Sequence, residues 1–217
     1  MLTYLLVLSL SKERMSKKLL IATHNPGKLG EYKLLLEDLN LQLFSLKDLK
    51  IEKEAKEDGK TYRENAIKKA RFYSGLTALP VLADDGGLEI DCLKGEPGLK
   101  SRRWPGHEAS DEELIELALA KLRGVPWPKR GAQFRVVVAL TVPGKTPLTV
   151  EGIKRGVILK EPRGTLIRGY PFRSIFYLPE FDKTFNQLSF EEEARIGHRR
   201  KALNKLTPFL KELEGDE

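Results

Sequence analysis

Cysteine is almost missing from this chain: Cys92 is the single one in 217 residues. One thiol excludes an internal disulfide and any cysteine-based zinc site, and it points to a reducing, cytoplasmic setting. Long apolar runs are scarce too. The stretch Leu2 to Leu10 is too short to span a bilayer, and it has no basic segment before it and no small-residue cleavage site after it. Met15-Ser16-Lys17-Lys18 directly precedes the first strand pattern and would serve as a natural start. Residues 1–14 are therefore expected to be a non-native or disordered extension, and residues 15–217 one large domain or two small lobes. There is no internal repeat, no low-complexity linker, no Lys/Arg-rich tail and no nucleic-acid motif. The formal net charge of +7 still invites a polyanion. With those motifs missing, a nucleoside triphosphate is favoured over nucleic acid. A hydrophobic content of 41% and a charged content of 32% describe a globular protein with ample length for a core.

The chain is organised around Val81 to Gly106. An apolar run, Leu79 to Ala83, turns acidic at Asp84-Asp85 and flexible at Gly86-Gly87. That pattern reads as a buried strand opening into a loop, a place where ligands commonly sit. Adjacent carboxylates repel, so burying both needs a cation, a proton or a basic neighbour. A hard divalent metal such as Mg²⁺ satisfies them most simply. The plain alternative is a solvated Asp-Asp turn.

Upstream, the apolar segment Leu19 to Thr23 leads through His24-Asn25-Pro26-Gly27-Lys28 into helical spacing at Tyr32, Leu35, Leu36 and Leu39. A strand, a Gly-containing turn and a helix with a lysine at its start can cradle phosphate, although the glycine spacing is not that of a P-loop. A second strand is expected over Leu41 to Leu46, then a charged loop or frayed helix from Lys47 to Lys60. Thr61 and Glu64 read as a capping box opening a helix from Tyr62 to Ser74, in which Asn65 is out of place unless it bonds something specific. Downstream, the pattern predicts a helix over Asp111 to Leu122 with Ser110 as its cap, and a hairpin from Phe134 to Val142 and Leu148 to Glu151, with Gly152 to Leu159 extending the β region. A short strand at Ile175 to Leu178 and a closing helix from Phe190 to Leu210, kinked at Gly197, complete the chain. Together these describe an α/β protein with a mixed, twisted sheet flanked by helices.

Several segments, in this order, resemble one family, the inosine triphosphate (noncanonical purine NTP) pyrophosphatases. They are A-T-H-N-P-G-K-L-G-E (Ala22 to Glu31), D-G-K-T-Y-R-E-N-A-I-K-K-A (Asp58 to Ala70), A-D-D-G-G-L-E-I-D-C-L-K-G-E-P-G (Ala83 to Gly98), E-G-I-K-R-G-V-I (Glu151 to Ile158), T-F-N-Q-L-S (Thr184 to Ser189) and I-G-H-R-R-K-A-L (Ile196 to Leu203). The resemblance implies an elongated sheet in two lobes with the active-site cleft between them, a homodimer, and Mg²⁺-dependent hydrolysis of ITP, dITP or XTP to monophosphate and pyrophosphate. Thr23, Asn25 and Lys28 would hold phosphate oxygens and Lys69 would add charge. Glu57 and Asp84 or Asp85 would bind Mg²⁺, with Asp85 orienting the attacking water. His198 and Arg199 would sit over the base. No membrane association is implied.

The chain departs from that family's pattern at the base end. An aspartate is replaced by Arg173, a lysine by Glu193 and two serines by Gly86 and Gly197, while an aromatic survives at Phe172. The phosphate half is intact; the base selected is open. Three readings stand: a pyrophosphatase for deaminated purines, the same chemistry on another base chosen by Arg173 and Glu193, or a binding protein that no longer catalyses. His24 and His107 read as incidental, and Trp104 and Trp127 as packing.

Overall fold

The structure, a computed structural model, describes residues 18–213, so the extension expected at residues 1–14 lies outside the described residues. Seven strands form one sheet in the order β2-β1-β3-β4-β5-β6-β7, with β1 Lys18–Ile21, β2 Gln42–Ser45, β3 Val81–Ile90, β4 Gly131–Thr141, β5 Leu148–Ile158, β6 Phe176–Leu178 and β7 Lys183–Thr184. The sheet is mixed. β1 runs parallel to β2 and β3, setting Leu20 opposite Phe44 and Val81, whereas β5/β6 and β6/β7 are antiparallel. Five α-helices accompany it among the described residues: α1 Pro26–Leu35, α2 Tyr62–Thr77, α3 Asp111–Lys121, α4 Phe190–Ile196 and α5 His198–Glu212. None of the described helices is long and apolar enough to cross a membrane.

The chain divides into two compact units. The first comprises residues 18–85, 137–150 and 202–213; the second comprises Gly86–Val136 and Glu151–Lys201. In the first, α2 lays Tyr62, Ala66, Ala70 and Tyr73 against Leu20, Ala22, Val81, Ala83, Val137 and Ala139. Those α2 residues recur every three or four positions, the spacing that puts them on one helical face. In the second, Leu114, Ile115 and Ala118 of α3 pack with Leu88, Ile90, Phe176, Leu178 and Phe185.

Three elements differ instructively from the sequence expectation. The expected opening of β3 into a loop at Asp84 does not occur; the strand continues through Asp84, Asp85, Gly86 and Gly87 to Ile90. Gly86 explains the continuity, because a Cβ there would stand 2.3 Å from the Arg135 carbonyl oxygen of β4. The glycine marks a close backbone approach, not a bend. α1 begins three residues before its expected Leu29, since Asn25 caps it and Pro26 occupies its first turn. The closing helix is broken, not merely bent: Gly197 takes an extended ψ of 149° between α4 and α5.

Candidate active site

The residues singled out for phosphate and metal gather in the first unit, at the C-terminal end of β1, the start of α1, one face of α2 and the middle of β3. Side chains alternate along a strand, so Asp84 and Asp85 leave opposite faces of β3. Their partners follow that geometry. Asp84, 1% exposed, pairs with Lys28 of α1 at 3.0 Å. Asp85 accepts from the Asn65 amide of α2 at 2.9 Å. Lys69, one turn further along α2, donates to the Asp84 carbonyl at 3.1 Å and forms an ion pair with Glu57. Each carboxylate thus has a cationic or amide neighbour, which removes the repulsion that adjacency in sequence suggested.

The electrostatics separate the two ends of this cluster. Burial pushes the Asp85 carboxyl above its ordinary value. The Asn65 hydrogen bond and the charges of Lys69 and Lys28 oppose that rise without cancelling it, and Glu57 adds to it. For Lys69 burial is again the largest single influence and lowers its value. Glu57, Asp84 and Asp85 outweigh it together, so Lys69 is held above the ordinary range and stays an ammonium at any physiological pH. The Asp85 carboxyl thus holds its proton more readily than an ordinary aspartate does.

The turn before α1 is occupied by its own side chains. Asn25 Oδ1 accepts from Gly27 N at 2.9 Å and Lys28 N at 3.1 Å, and Thr23 Oγ1 accepts from Asn25 N at 3.1 Å. Asn25 therefore acts as a helix cap. The ammonium of Lys28, paired with Asp84, supplies positive charge at the start of α1. Among the described residues no three His, Cys, Asp or Glu side chains are grouped as a ready-made metal cage. The donors present, Glu57, Asp84 and Asp85, are all hard carboxylate oxygens. That set suits Mg²⁺, which keeps several waters and uses one or two carboxylates together with substrate phosphates.

The base-end candidates lie in the second unit. Arg173 and Glu193 meet as a two-pronged ion pair, with NH1 to Oε2 at 2.9 Å and NH2 to Oε1 at 2.7 Å. His198 and Arg199 open α5 and are buried. The His198 ring stacks on Phe134 at 5.5 Å. Phe172 is buried in the second core with the Trp104 edge against it at 6.2 Å, so Trp104 packs as expected.

Residues 19–209 match the Ham1 family model. The chain belongs to the Ham1 family. Among its curated relatives, the dITP/XTP pyrophosphatase of Bacillus subtilis is 41% identical over 194 residues, covering 89% of this chain and 97% of the relative. The dITP/XTP pyrophosphatase of Geobacter sulfurreducens is 42% identical over 193 residues, covering 89% and 96%. Among solved structures, the Staphylococcus aureus Ham1 protein superposes with a TM-score of 0.77 at 36% identity, over 90% of this chain and 99% of that one. The Coxiella burnetii Ham1 protein gives 0.78 at 36% identity, over 90% and 98%. The mixed sheet with flanking helices is thus a Ham1 fold.

Within this Ham1 chain two contacts near the candidate residues escaped the sequence reading. Asn65 was legible only as a misplaced mid-helix polar residue. It bridges Asp85 to the loop before α2, accepting from Gly59 N at 2.7 Å through the same amide group. His24, read as incidental, lies 3.3 Å from the Tyr73 hydroxyl, which donates to the Lys53 carbonyl at 3.1 Å. No local pattern announces that contact, because its partners are 49 and 20 residues apart in sequence.

Proposed function

We propose that this protein hydrolyses noncanonical purine nucleoside triphosphates (ITP, dITP and XTP) to the monophosphate and pyrophosphate, removing them from the nucleotide pool. One observation carries the proposal. A half-buried carboxylate held above its ordinary pKa, Asp85, lies in one charged cluster with two lysines, Lys28 and Lys69, in a chain about two-fifths identical to dITP/XTP pyrophosphatases. Phosphoryl transfer demands little covalent help and much charge stabilisation. Lys28 and Lys69 supply that charge by exchanging Asp84 and Glu57 for triphosphate oxygens, while Thr23 and Asn25 set the turn that presents Lys28. Asp85 orients the attacking water and takes its proton. Its raised affinity for protons favours that role, because a base works best with a pKa nearer the working pH.

Glu57 together with either Asp84 or Asp85, which leave β3 on opposite faces, would hold Mg²⁺, which when bound screens the charge of the phosphate oxygens. Gly86 lets β4 close on the strand that bears the carboxylates. In the second unit His198 and Arg199 would read the purine, with Phe172, Arg173 and Glu193 in the same unit; donors there suit the carbonyl oxygen of a deaminated purine and not an amino group. Action in the cytoplasm as a homodimer belongs to the same proposal, and light scattering of the purified protein checks the dimer.

A second reading, the same chemistry on a different base, is favoured by the Arg173–Glu193 pair. One panel separates the two: pyrophosphate release with Mg²⁺ from ITP, XTP and dITP beside ATP, GTP and modified pyrimidine triphosphates. Turnover of the first three well above ATP is expected. Preference for another base moves the assignment to the second reading, and no pyrophosphate from any of them overturns both.

A further inference from the structure

Arg173 and Glu193 do more than carry opposite charge at the base end. Arg173 is 6% exposed, and its guanidinium faces the Tyr170 ring at 3.9 Å and the Phe185 ring at 5.0 Å while its fork grips both oxygens of Glu193. A planar cation pinned at its edge and stacked on its face has little freedom to follow a ligand. Its carboxylate partner is tied in turn to the residues that follow. Glu193 O accepts from Gly197 N at 2.8 Å, and a Cβ at position 197 would stand 2.8 Å from that same oxygen. Gly197 immediately precedes His198. Phe185, one of the two rings against Arg173, also meets the His198 ring edge-on at 6.0 Å. The pair therefore reaches His198 by two routes, one along the backbone through Gly197 and one through the shared Phe185 ring.

We propose that Arg173, Glu193 and Gly197 form one interlocked positioning unit that presents His198 and Arg199, and that neither charged side chain reads the base itself. The inference rests on the nucleotide-hydrolysing role proposed above. It deepens that role by assigning base selectivity to the residues that open α5 and their orientation to the pair behind them. The sign of each charge is then exchangeable, whereas the pairing and the missing side chain at 197 are not. Breaking the pair strands a buried charge and loosens the turn before α5.

The test compares Arg173→Asp, Glu193→Lys, the Arg173→Asp/Glu193→Lys double variant and Gly197→Ala, reading KM, kcat and the ITP-to-ATP ratio of kcat/KM. Each single charge variant is expected to raise KM for ITP by about tenfold or more, with kcat changed far less, as a loss of binding geometry does. The double variant is expected to return most of that loss with the ITP-to-ATP ratio unaltered. Gly197→Ala is expected to raise KM in the same way although it touches no charge. A folded double variant with an inverted base preference overturns the inference, because it makes one of the pair the reader. So does a Gly197→Ala enzyme with unchanged KM, or a folded double variant no better than the singles. If the aspartate or lysine singles do not fold, Arg173→Lys, which keeps the charge without the fork, and Glu193→Gln carry the same comparison. Failure of the wild type to release pyrophosphate from ITP strikes the proposed function instead. In that case the four variants are compared on whichever triphosphate the wild type hydrolyses, or on ITP affinity where it hydrolyses none.

Discussion

At the scale of single residues the site sets stability against activity, and Asp85 shows the conflict most directly. Burial holds its carboxyl above the ordinary range, so the ionised form is a liability to the fold. That liability is fully present at pH values above its raised folded-state pKa, and it fades as pH falls through the window down to the unfolded value, about 4. Asp85→Asn is therefore expected to raise the thermal midpoint in metal-free buffer near pH 7.5, with the gain shrinking toward pH 4. The same substitution is expected to lower kcat by about 10² to 10⁴ through loss of the water-orienting base. Calorimetry and pyrophosphate release on one preparation check both halves. Gly86 offers a purely steric counterpart. A serine there puts its Cβ 2.3 Å from the Arg135 carbonyl and 2.8 Å from the Val136 Cα, both backbone atoms that yield reluctantly. Gly86→Ser is expected to lose about 1–3 kcal/mol in urea titration, as overpacked sites do.

At the scale of elements, a strand and two helices hold the charges at fixed heights. α1 and α2 bring Lys28 and Lys69 to β3, and Asn65 ties α2 to both Asp85 and the loop that carries Glu57. Asn65→Ala leaves Gly59 N and one oxygen of Asp85 without that amide. It is expected to cost about 1–3 kcal/mol of stability and to lower kcat/KM, where Asn65→Asp would repair only the Gly59 contact. Chemical denaturation beside steady-state kinetics decides it. The elements themselves were legible to different degrees. α2 and α3 stood out because Thr61 and Ser110 cap them and their apolar residues keep a 3.6-residue period. The break at Gly197 was visible as a weak point in an otherwise helical run. β3 was misjudged beyond Ala83, since Asp-Asp-Gly-Gly has the composition of a turn. The cause of its extension is the approach of β4, a tertiary contact that local composition does not encode. The candidate residues Lys28, Lys69, Asp84 and Asp85 were legible as chemistry. Which carboxylate each lysine opposes was not, because Lys28 and Asp84 are separated by 56 residues.

At the scale of the molecule, the Ham1 family assignment spans residues 19–209. The phosphate and metal candidates fall in the first compact unit and the base candidates in the second. The formal net charge of +7 suits a triphosphate substrate. Long-range attraction of that kind is screened over a Debye length of about 10 Å at 0.1 M salt. KM for the nucleotide is thus expected to rise by several-fold from 0.02 to about 0.3 M KCl while kcat holds nearly constant; a salt-independent KM in steady-state assays would show that the net charge plays no part in capture. The most direct test of the central claim is phosphorus NMR of ITP incubated with the protein and Mg²⁺. The account predicts inosine monophosphate and pyrophosphate as the only products, formed by the wild type and not by Asp85→Asn. Inosine diphosphate with free phosphate, or equal turnover by the Asp85→Asn variant, would contradict it.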